Sequence, residues 1–556
     1  MAIIPRIPGC LLGMALLFAS AQLSAAEYDV RAYGATGDGV TIDTAAINKA
    51  IDAAAAAGGG TVRFSPGTYA SYSIHLKSHI VLYLEAGSTI LAAEPPADLS
   101  TGYDAPEPNP VTDQYEDFGH SHWHNSLIWG ENLVDISIVG PGRIYGYGLS
   151  RGRVVRRDVT PEERVAGLKP DVSVPAAALA ANALIKPGPF GTPGKDTLPA
   201  GVGNKSIALK NCRDVIFRDF TIYHGGHFGI LATGVDNWTC DNLKIDTNRD
   251  GIDFDCCQNV RVSNCTVNSP FDDGICPKSS FALGYNRPTE NVTITNCQVS
   301  GYLEGSLLDG TRKHWQWPDG FHGATGRIKC GTEGNGGFRN IAISNCVFEY
   351  CRGIAFESVD GALMEDIAVS NITMRDIINT PIYIRLGARL RGPAGTKVGT
   401  ARRISINNLV AHNVAGEAGI LIDGVPGSTI DDVSLSNVFV DYAGGGTAED
   451  SARIVPSDPT AYPEPSRLGN LSAWGLFVRH AKNLSLDHVE LRVAKDDLRP
   501  VVRLEDVTGM DIDHGVLPHS IGASTFELVG VTGLVIHNSP GLPETDRTDK
   551  IAAGKL

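Results

Sequence analysis

The sequence predicts an all-β fold, a single parallel β-helix, because one strand signature recurs along the chain. The clearest copies, each beginning and turning with Asn, are residues 259–267, 291–299 and 340–348. The inner asparagines Asn242 and Asn264 are 22 positions apart (264 − 242), and short β-branched strands at such a period are typical of a solenoid. A β-sandwich fits this pattern less well. The 63 glycines and the low aromatic content of 7% also favour one elongated repeat domain.

The same repeat predicts what fills the interior of the solenoid. Four of the 11 cysteines follow an Asn at the same point of the repeat, namely Cys212, Cys265, Cys297 and Cys346. This regular placement favours buried, stacked thiols over a disulfide framework. No spacing of His, Cys, Asp or Glu indicates a metal site, and no cofactor is expected.

Residues 43–60 are the clearest helical segment. Asp43 or Thr44 can cap its start, several Ala and Ile residues favour it, and the glycines at 58–60 end it. We expect this helix to plug the N-terminal end of the solenoid. Residues 95–125, 150–205 and 443–470 are rich in Pro, Gly and polar residues, and we expect them to form long inserted loops that shape a binding cleft.

The N-terminus has the order of a secretory signal peptide: Arg6, an apolar stretch over residues 11–17, and small residues up to Ala26. The expected organisation is a signal peptide at 1–26 and a β-helix domain at 27–556, in a secreted or periplasmic protein. No later segment approaches the roughly 20 apolar residues of a membrane span. The formal charge of −15 argues against nucleic acid as a partner, and a monomer is expected.

The dense clusters of carboxylates in residues 248–255 and 269–275 are the candidate active site. Asp272 and Asp273 follow Asp250 by 22 and 23 positions (272 − 250, 273 − 250), so the three would stack on neighbouring rungs about 4.8 Å apart. Acids gathered on one wall can divide the roles of general acid and general base that glycosidic hydrolysis needs. The alternative is that these residues only cap turns, as Asp commonly does.

The motifs of this region resemble a known family. Residues 248–250 (Asn-Arg-Asp) followed by Asp272-Asp273 are similar to the Asn-Thr-Asp and Asp-Asp motifs of the polygalacturonase family, glycoside hydrolase family 28. The opening residues 28–39 and the stretch 58–69 also resemble its bacterial members. The likeness covers most of the chain after residue 26.

This resemblance implies a right-handed parallel β-helix that hydrolyses pectic chains with inversion. Carried over by position, Asp272 resembles the general acid, and Asp250 and Asp273 resemble the pair that activates water. The expected substrate is an α-linked, uronate-containing pectic poly- or oligosaccharide of the galacturonate or rhamnogalacturonan type. The long loops favour action from a chain end.

The residues that follow depart from the family pattern, in which a Gly-His-Gly precedes an Arg-Ile-Lys that binds a galacturonate carboxylate. Two alignments are open. In the first, residues 327–329 are that triplet and the rung at 301–306 has lost its His. In the second, residues 326–333 replace Gly-His-Gly and residues 355–357 (Ala-Phe-Glu) replace the triplet, which keeps later rungs in step. A Glu there would repel galacturonate, while Arg327 and Lys329 could serve a differently placed acid group.

Other side chains are candidates for substrate binding. His227 lies on the rung before the Asp250 segment, and Lys278 follows Asp273 by five positions. His322, on an inserted loop, is a candidate replacement for the missing His, and Trp123 is a candidate sugar-stacking platform. Each of them is also compatible with ordinary packing.

Two rival functions remain open at this point. A β-helical polysaccharide lyase would need a Ca²⁺ site and an Arg or Lys base near the cleft. A non-catalytic β-helix that binds glycans would have no reason to stack three acids on adjacent rungs.

Overall fold

A computed structural model describes residues 26–116, 119–150, 198–314, 323–417 and 419–556. It is a right-handed parallel β-helix with three walls, as the repeat predicts. The strands of each wall pair in parallel with those of the next rung, so equivalent positions of the repeat stack along the axis. The predicted signal peptide lies outside the described residues.

The first wall carries the residues of interest. Its strands are β5 (Ile74–His75), β8 (Ile128–Glu131), β11 (Lys205–Lys210), β14 (Phe228–Thr233), β17 (Asp250–Asp255), β20 (Ile275–Lys278), β23 (Lys329–Cys330), β26 (Ile354–Ser358), β28 (Ile382–Leu386) and β30 (Ile420–Asp423). Ile252 and Phe254 point into the core, so Asp253 and Asp255 between and after them point outward.

The other two walls alternate with the first along the chain. The second consists of β1 (Glu27–Asp29), β3 (Gly60–Phe64), β6 (Ile80–Leu84), β9 (Val134–Val139), β12 (Arg213–Arg218), β15 (Asp236–Asp241), β18 (Gln258–Ser263), β21 (Thr289–Thr295) and β24 (Phe338–Ser344). The third consists of β2 (Asp38–Ile42), β4 (Gly67–Ser71), β7 (Ser88–Ala92), β10 (Arg143–Tyr145), β13 (Thr221–Tyr223), β16 (Lys244–Asp246), β19 (Thr266–Asn268), β22 (Gln298–Ser300) and β25 (Val347–Glu349).

Later rungs use long, bent strands that span more than one wall. They are β27 (Leu363–Arg375), β29 (Thr400–Val414), β31 (Ile430–Gly444), β32 (Leu476–Lys495), β33 (Val502–Asp513) and β34 (Phe526–His537). Two short strands, β35 (Thr545–Arg547) and β36 (Ile551–Lys555), run antiparallel to β34 and cover the last rung. Such a cover protects the terminal strand from pairing with another chain.

The asparagines of the repeat make the turn between the second and third walls. Asn264, Asn296 and Asn345 have φ of 57°, 56° and 55°, a left-handed conformation that Asn tolerates better than most residues. Their amides also bond from rung to rung, since Asn296 Nδ2 donates to Asn264 Oδ1 at 3.3 Å. Each predicted strand is therefore two strands joined at an Asn.

The core confirms the cysteine prediction. All ten cysteines among the described residues are free and buried, and Cys265, Cys297 and Cys346 belong to the same apolar core as the Val and Ile residues of the walls. Rung stacking places these thiols over one another, so they act as small apolar side chains.

The N-terminal helix is confirmed as α1 (Thr44–Ala56), which packs Ile47, Ala50, Ile51 and Ala54 into the core. Asp43, one of the two predicted caps, holds the N-cap position, but its side chain makes no capping hydrogen bond and instead accepts from the backbone N–H of Thr36 at 2.7 Å. The turn at residues 36–37 lies close to Asp43, so the Asp43 carboxylate bonds to this turn instead of capping the helix. No helix among the described residues is long and apolar enough to cross a membrane.

The inserted loops fit the prediction only in part. Described residues between β7 and β8 contain no helix or strand, whereas residues 443–470 contain a short helix α2 (Ala448–Ala452) and a 3-10 turn (Pro465–Leu468). Thr447 and Asp450 form a capping box that explains α2. Residues 151–197 of the second loop lie outside the described part of the chain. A further 3-10 turn, Val30–Tyr33, follows β1.

Candidate active site

Strands β17 and β20 bring the three predicted carboxylates together. Ile252 pairs with Ile275, which places Asp250 beside Asp273 on the next rung. One carboxylate oxygen from each of Asp250, Asp272 and Asp273 lies within 4.8 Å of the others. The predicted register of 22 and 23 positions is therefore confirmed.

The glycine after Asp250 permits this close approach. A Cβ atom on Gly251 would lie 2.4 Å from the backbone oxygen of Gly274, so no other residue fits without moving one of the strands. The backbone N–H of Gly251 also donates to the carbonyl of Asp273 at 3.0 Å. The motif thus sets the spacing of the carboxylates as well as supplying them.

Asp273 is held by two buried cations. Arg327 Nε lies 2.9 Å from Asp273 Oδ1, and the Lys329 ammonium contacts Asp273 Oδ2. Burial alone would raise the pKa of Asp273, but the charges of Lys329 and Arg327 outweigh it and hold that pKa well below its usual range. Asp273 is therefore a carboxylate at any ordinary pH.

Asp250 has the opposite environment. Burial, followed by the charges of Asp253 and Asp272, raises the pKa of Asp250 well above its usual range. The resemblance implies that Asp272 is the general acid, and the raised pKa makes Asp250 a further candidate for holding a proton. Asp272 lies 2.5 Å from Arg249, and its side chain is 23% exposed, against 4% for Asp250 and 1% for Asp273.

A second group of charges lies directly behind these carboxylates. Lys278 Nζ is 3.1 Å from Glu333 Oε2 and 3.6 Å from Asp253 Oδ2. The sequence selected Lys278, and Glu333 was missed because it is 55 residues farther along the chain. All three side chains are buried, so the charge of Lys278 stabilises the carboxylates of Glu333 and Asp253 and is not free to bind substrate.

Two histidines close the N-terminal side of the cluster. His227 Nε2 lies 3.9 Å from Asp250 Oδ2, and His120 Nε2 lies 3.7 Å from Asp253 Oδ2. The sequence predicted His227 but gave no signal for His120 as a site residue, because only the fold of its loop brings it here. His322, the other predicted histidine, lies outside the described residues.

The strand register places the residues on which the two alignments differ. Ile328 forms a parallel bridge with Ile275, and Lys329 and Cys330 pair with Ala355 and Phe356. Residues 326–333 are thus on the rung directly after β20, the position that the second alignment gives them. Arg327 and Lys329, which were expected to face an acid group of the substrate, contact Asp273 instead.

Beyond Asp273, an inserted loop contributes a further carboxylate. Arg327 Nη2 lies 3.3 Å from Glu357 Oε1 and 3.6 Å from Glu464 Oε2, and Glu464 Oε2 lies 2.5 Å from Arg352 Nη1. Burial raises the pKa of Glu357 to about 7, despite the charges of Arg327 and Lys329. The sequence gave no signal for Glu464, since it lies more than 100 residues from the motifs.

Loops cover the outward face of the first wall on both sides of the cluster. On the N-terminal side Trp123 is 0% exposed, packs against Phe228 and Leu231, and donates from Nε1 to Thr233 at 2.9 Å. The expectation that Trp123 is an open sugar platform is wrong, because the loop folds it into an apolar cluster.

On the C-terminal side, residues of the 443–470 loop and its neighbour make a second cover. Val455, Leu468 and Leu471 pack against Ala355 and the outward residues of the next rungs. The accessible window lies between the two covers, at Arg249 and Asp272, whose side chains are 24% and 23% exposed.

The carboxylate cluster also has a spacing that a metal ion could use. Its oxygens are, however, already paired with basic side chains: Asp273 with Arg327 and Lys329, and Asp272 with Arg249. A divalent cation would have to displace these groups. The donor set fits carboxylates neutralised by Arg and Lys better than it fits a calcium site.

Comparisons with known proteins agree with the fold. Residues 28–107 match the family model "Rhamnogalacturonase A/epimerase, pectate lyase-like", and residues 200–314 match "Right handed beta helix region". A probable polygalacturonase of Vitis vinifera is 23% identical over 493 residues, which cover 83% of this chain and 84% of that protein. An exo-poly-α-D-galacturonosidase of Dickeya chrysanthemi is 27% identical over 286 residues, 48% of this chain and 45% of the relative.

Among solved structures, the family 28 exopolygalacturonase of Yersinia enterocolitica superposes with a TM-score of 0.60 at 18% identity, covering 88% of this chain and 79% of that one. This likeness is to the fold. The chain therefore has the right-handed β-helix fold. Its sequence is similar to proteins named polygalacturonase and exo-poly-α-D-galacturonosidase.

Proposed function

We propose that this protein is a glycoside hydrolase that cleaves α-glycosidic bonds of a pectic, uronate-containing glycan with Asp250, Asp272 and Asp273. One observation carries the proposal: three carboxylates lie within 4.8 Å of one another, and their surroundings move two pKa values in opposite directions. Such divergence is how paired acids acquire separate roles. Asp250 keeps a proton and Asp273 stays ionised.

The division of labour follows from charge and access. Asp273, ionised and held by Arg327 and Lys329, orients the attacking water. The proton of Asp250 passes through the more exposed Asp272 to the leaving oxygen, and the Asp250 carboxylate then accepts a proton from the attacking water. Proton transfer by such groups contributes about 10²–10⁴-fold to rate. Arg327 and Lys329 then act on the reaction through Asp273.

We further propose a single displacement, with inversion at the anomeric carbon. Inverting pairs of carboxyls are ordinarily about 6.5–9.5 Å apart and retaining pairs about 5–5.5 Å apart. The oxygens here lie within 4.8 Å, so the separation expected for inversion is not met. Inversion is supported instead by the burial of two of the carboxylates. The side chains of Asp273 and Asp250 are 1% and 4% exposed, so water can reach them but a sugar carbon cannot.

Action from a chain end is supported by the two covers of the first wall. A polysaccharide lying along the wall would have to cross the apolar cluster around Trp123 or the one around Val455. A chain end can enter between them. The Dickeya and Yersinia proteins named above are both described as exo-acting.

Export and a monomeric state are proposed from the sequence alone. Finding mature protein that begins near residue 27 outside the cytoplasm would support export, and light scattering would test the monomer.

The test is product analysis on polygalacturonate, rhamnogalacturonan and their oligosaccharides. We expect short saturated products from one end without a rapid fall in viscosity, and proton NMR of fresh product should show the anomer opposite to the cleaved bond. Unsaturated, calcium-dependent products would indicate a lyase, and retention would make one Asp a nucleophile. Binding without products, equal in wild type and Asp250→Asn, would indicate a glycan-binding protein.

A further inference from the structure

The C-terminal side of the carboxylate cluster is a closed ion network. Its contacts join Asp273 to Arg327 and Lys329, Arg327 to Glu357 and Glu464, and Glu464 to Arg352. The network therefore holds three cations and three carboxylates. Within the part of the chain that the structure describes, every one of the three cations already contacts a carboxylate of the protein.

This network lies on the rungs that follow Asp272, so a substrate lying along the first wall would meet it next. The backbone N–H of Gly326 donates to the carbonyl of Asp272, and that of Arg352 donates to the carbonyl of Thr325. Arg352 is therefore two rungs beyond Asp272, about 10 Å along the axis. Arg352 and Glu464 keep 13% and 11% of their side chains exposed, so they form the accessible edge of the network.

Glu464 already occupies the position that a substrate carboxylate would take. Its Oε2 lies 2.5 Å from Arg352, and its Oε1 accepts from Asn379 Nδ2 at 3.2 Å. A free uronate here would have to displace Glu464 or lie beside Glu464 and Glu357. Like charges placed together in this way repel each other and weaken binding.

We propose that the sugar bound on the C-terminal side of the catalytic carboxylates carries no free carboxylate: it is a neutral sugar or an esterified uronate. The proposal rests on the hydrolase function proposed above and narrows its substrate. Glu464 is the specificity-determining residue, because it satisfies Arg352 and excludes a second carboxylate.

The experiment compares two oligogalacturonates of equal length, one as the free acid and one as the methyl ester. We expect the wild-type kcat/KM to be at least roughly tenfold higher for the ester, which corresponds to about 1.4 kcal/mol. A rhamnogalacturonan oligosaccharide, in which a neutral sugar follows the uronate, distinguishes a neutral residue from an esterified one as the natural occupant.

The variant Glu464→Gln removes the excluding charge. We expect the ester-to-acid ratio of kcat/KM to fall at least about threefold, whatever happens to the absolute rates. The matched control is Glu365→Gln, which alters a carboxylate on β27 that is paired with Arg402 at 2.8 Å and should leave the ratio unchanged. A wild type that prefers the free acid, or a ratio unmoved by Glu464→Gln, overturns the proposal.

Calorimetric binding of the same two oligosaccharides to wild type separates this proposal from the hydrolase function. Tighter binding of the ester without any product would count against hydrolysis while supporting the specificity. Hydrolysis with equal binding and equal rates for both substrates would leave the function standing and remove the specificity.

Discussion

Two groups of buried carboxylates lie on the outward face of the first wall, and the chain compensates them differently. Asp423 is 0% exposed, receives Arg479 at 2.9 and 3.2 Å, and also contacts Arg385. Asp253, equally buried, has no hydrogen bond on either oxygen among the described residues, and its nearest cation, Lys278, is 3.6 Å away. Asp250 and Asp272 stand beside it.

This difference shows that burial alone does not describe a carboxylate, because Asp423 and Asp253 are equally buried. A buried charge is stable when cations and donors satisfy it, and a buried acid without such partners raises the free energy of the folded state. Strongly perturbed acids of this kind cluster at functional sites, which makes the surroundings of Asp253 the part of the wall to test.

The largest effect is expected at the site. Asp250→Asn, Asp272→Asn and Asp273→Asn should each reduce turnover by at least roughly 10²-fold, because each removes an acid or base. Urea titration should show that the variants remain folded. Near wild-type turnover in any two of them would contradict the assignment.

Asp423→Asn should affect stability instead of chemistry. Removing one partner of a buried ion pair typically costs about 3–5 kcal/mol, because Arg385 and Arg479 would be left without their carboxylate. Urea unfolding measures the loss, and turnover per folded molecule should stay at the wild-type level. A loss of turnover in fully folded Asp423→Asn would erase the contrast between the two groups.

Glu357 should show an intermediate behaviour that depends on pH. Its folded pKa of about 7 lies above the unfolded value, so the folded state binds more protons between them and this stabilising contribution is lost as pH rises through about 7. Relative to Glu357→Gln, wild type should lose on the order of 3 kcal/mol between pH 5 and 8. If the difference in unfolding free energy between wild type and Glu357→Gln does not change with pH, then Glu357 is neutralised by its cationic partners as fully as Asp423 is.

The smallest effect is expected in the asparagine turns. Asn264→Ala should lower the free energy of unfolding by about 1–2 kcal/mol, through the left-handed backbone and the lost bond to Asp241 at 2.7 Å. Asn264→Gly keeps the backbone conformation and should cost less. If both variants lose the same free energy of unfolding, the whole effect comes from the lost amide. Turnover should be unchanged in both variants.

Much of the fold was predictable because its signals repeat locally. The asparagine turns, the buried cysteines and the helix α1 each depend on residues close in sequence or one rung away. The position of Asp250 beside Asp273 was predictable for the same reason, since the repeat length alone places one beside the other. The rung of residues 326–333 was not predictable in this way, and it needed the observed pairing of Ile275 with Ile328.

By itself, then, the sequence determined the solenoid and its row of carboxylates, because a stacked repeat converts spacing along the chain into position on a wall. Only the tertiary structure decided which charges meet those carboxylates. His120 and Glu464 arrive on inserted loops, Arg327 and Lys329 turn to Asp273, and Trp123 is buried. Loop conformations depend on contacts between residues far apart in sequence, and no local pattern records them.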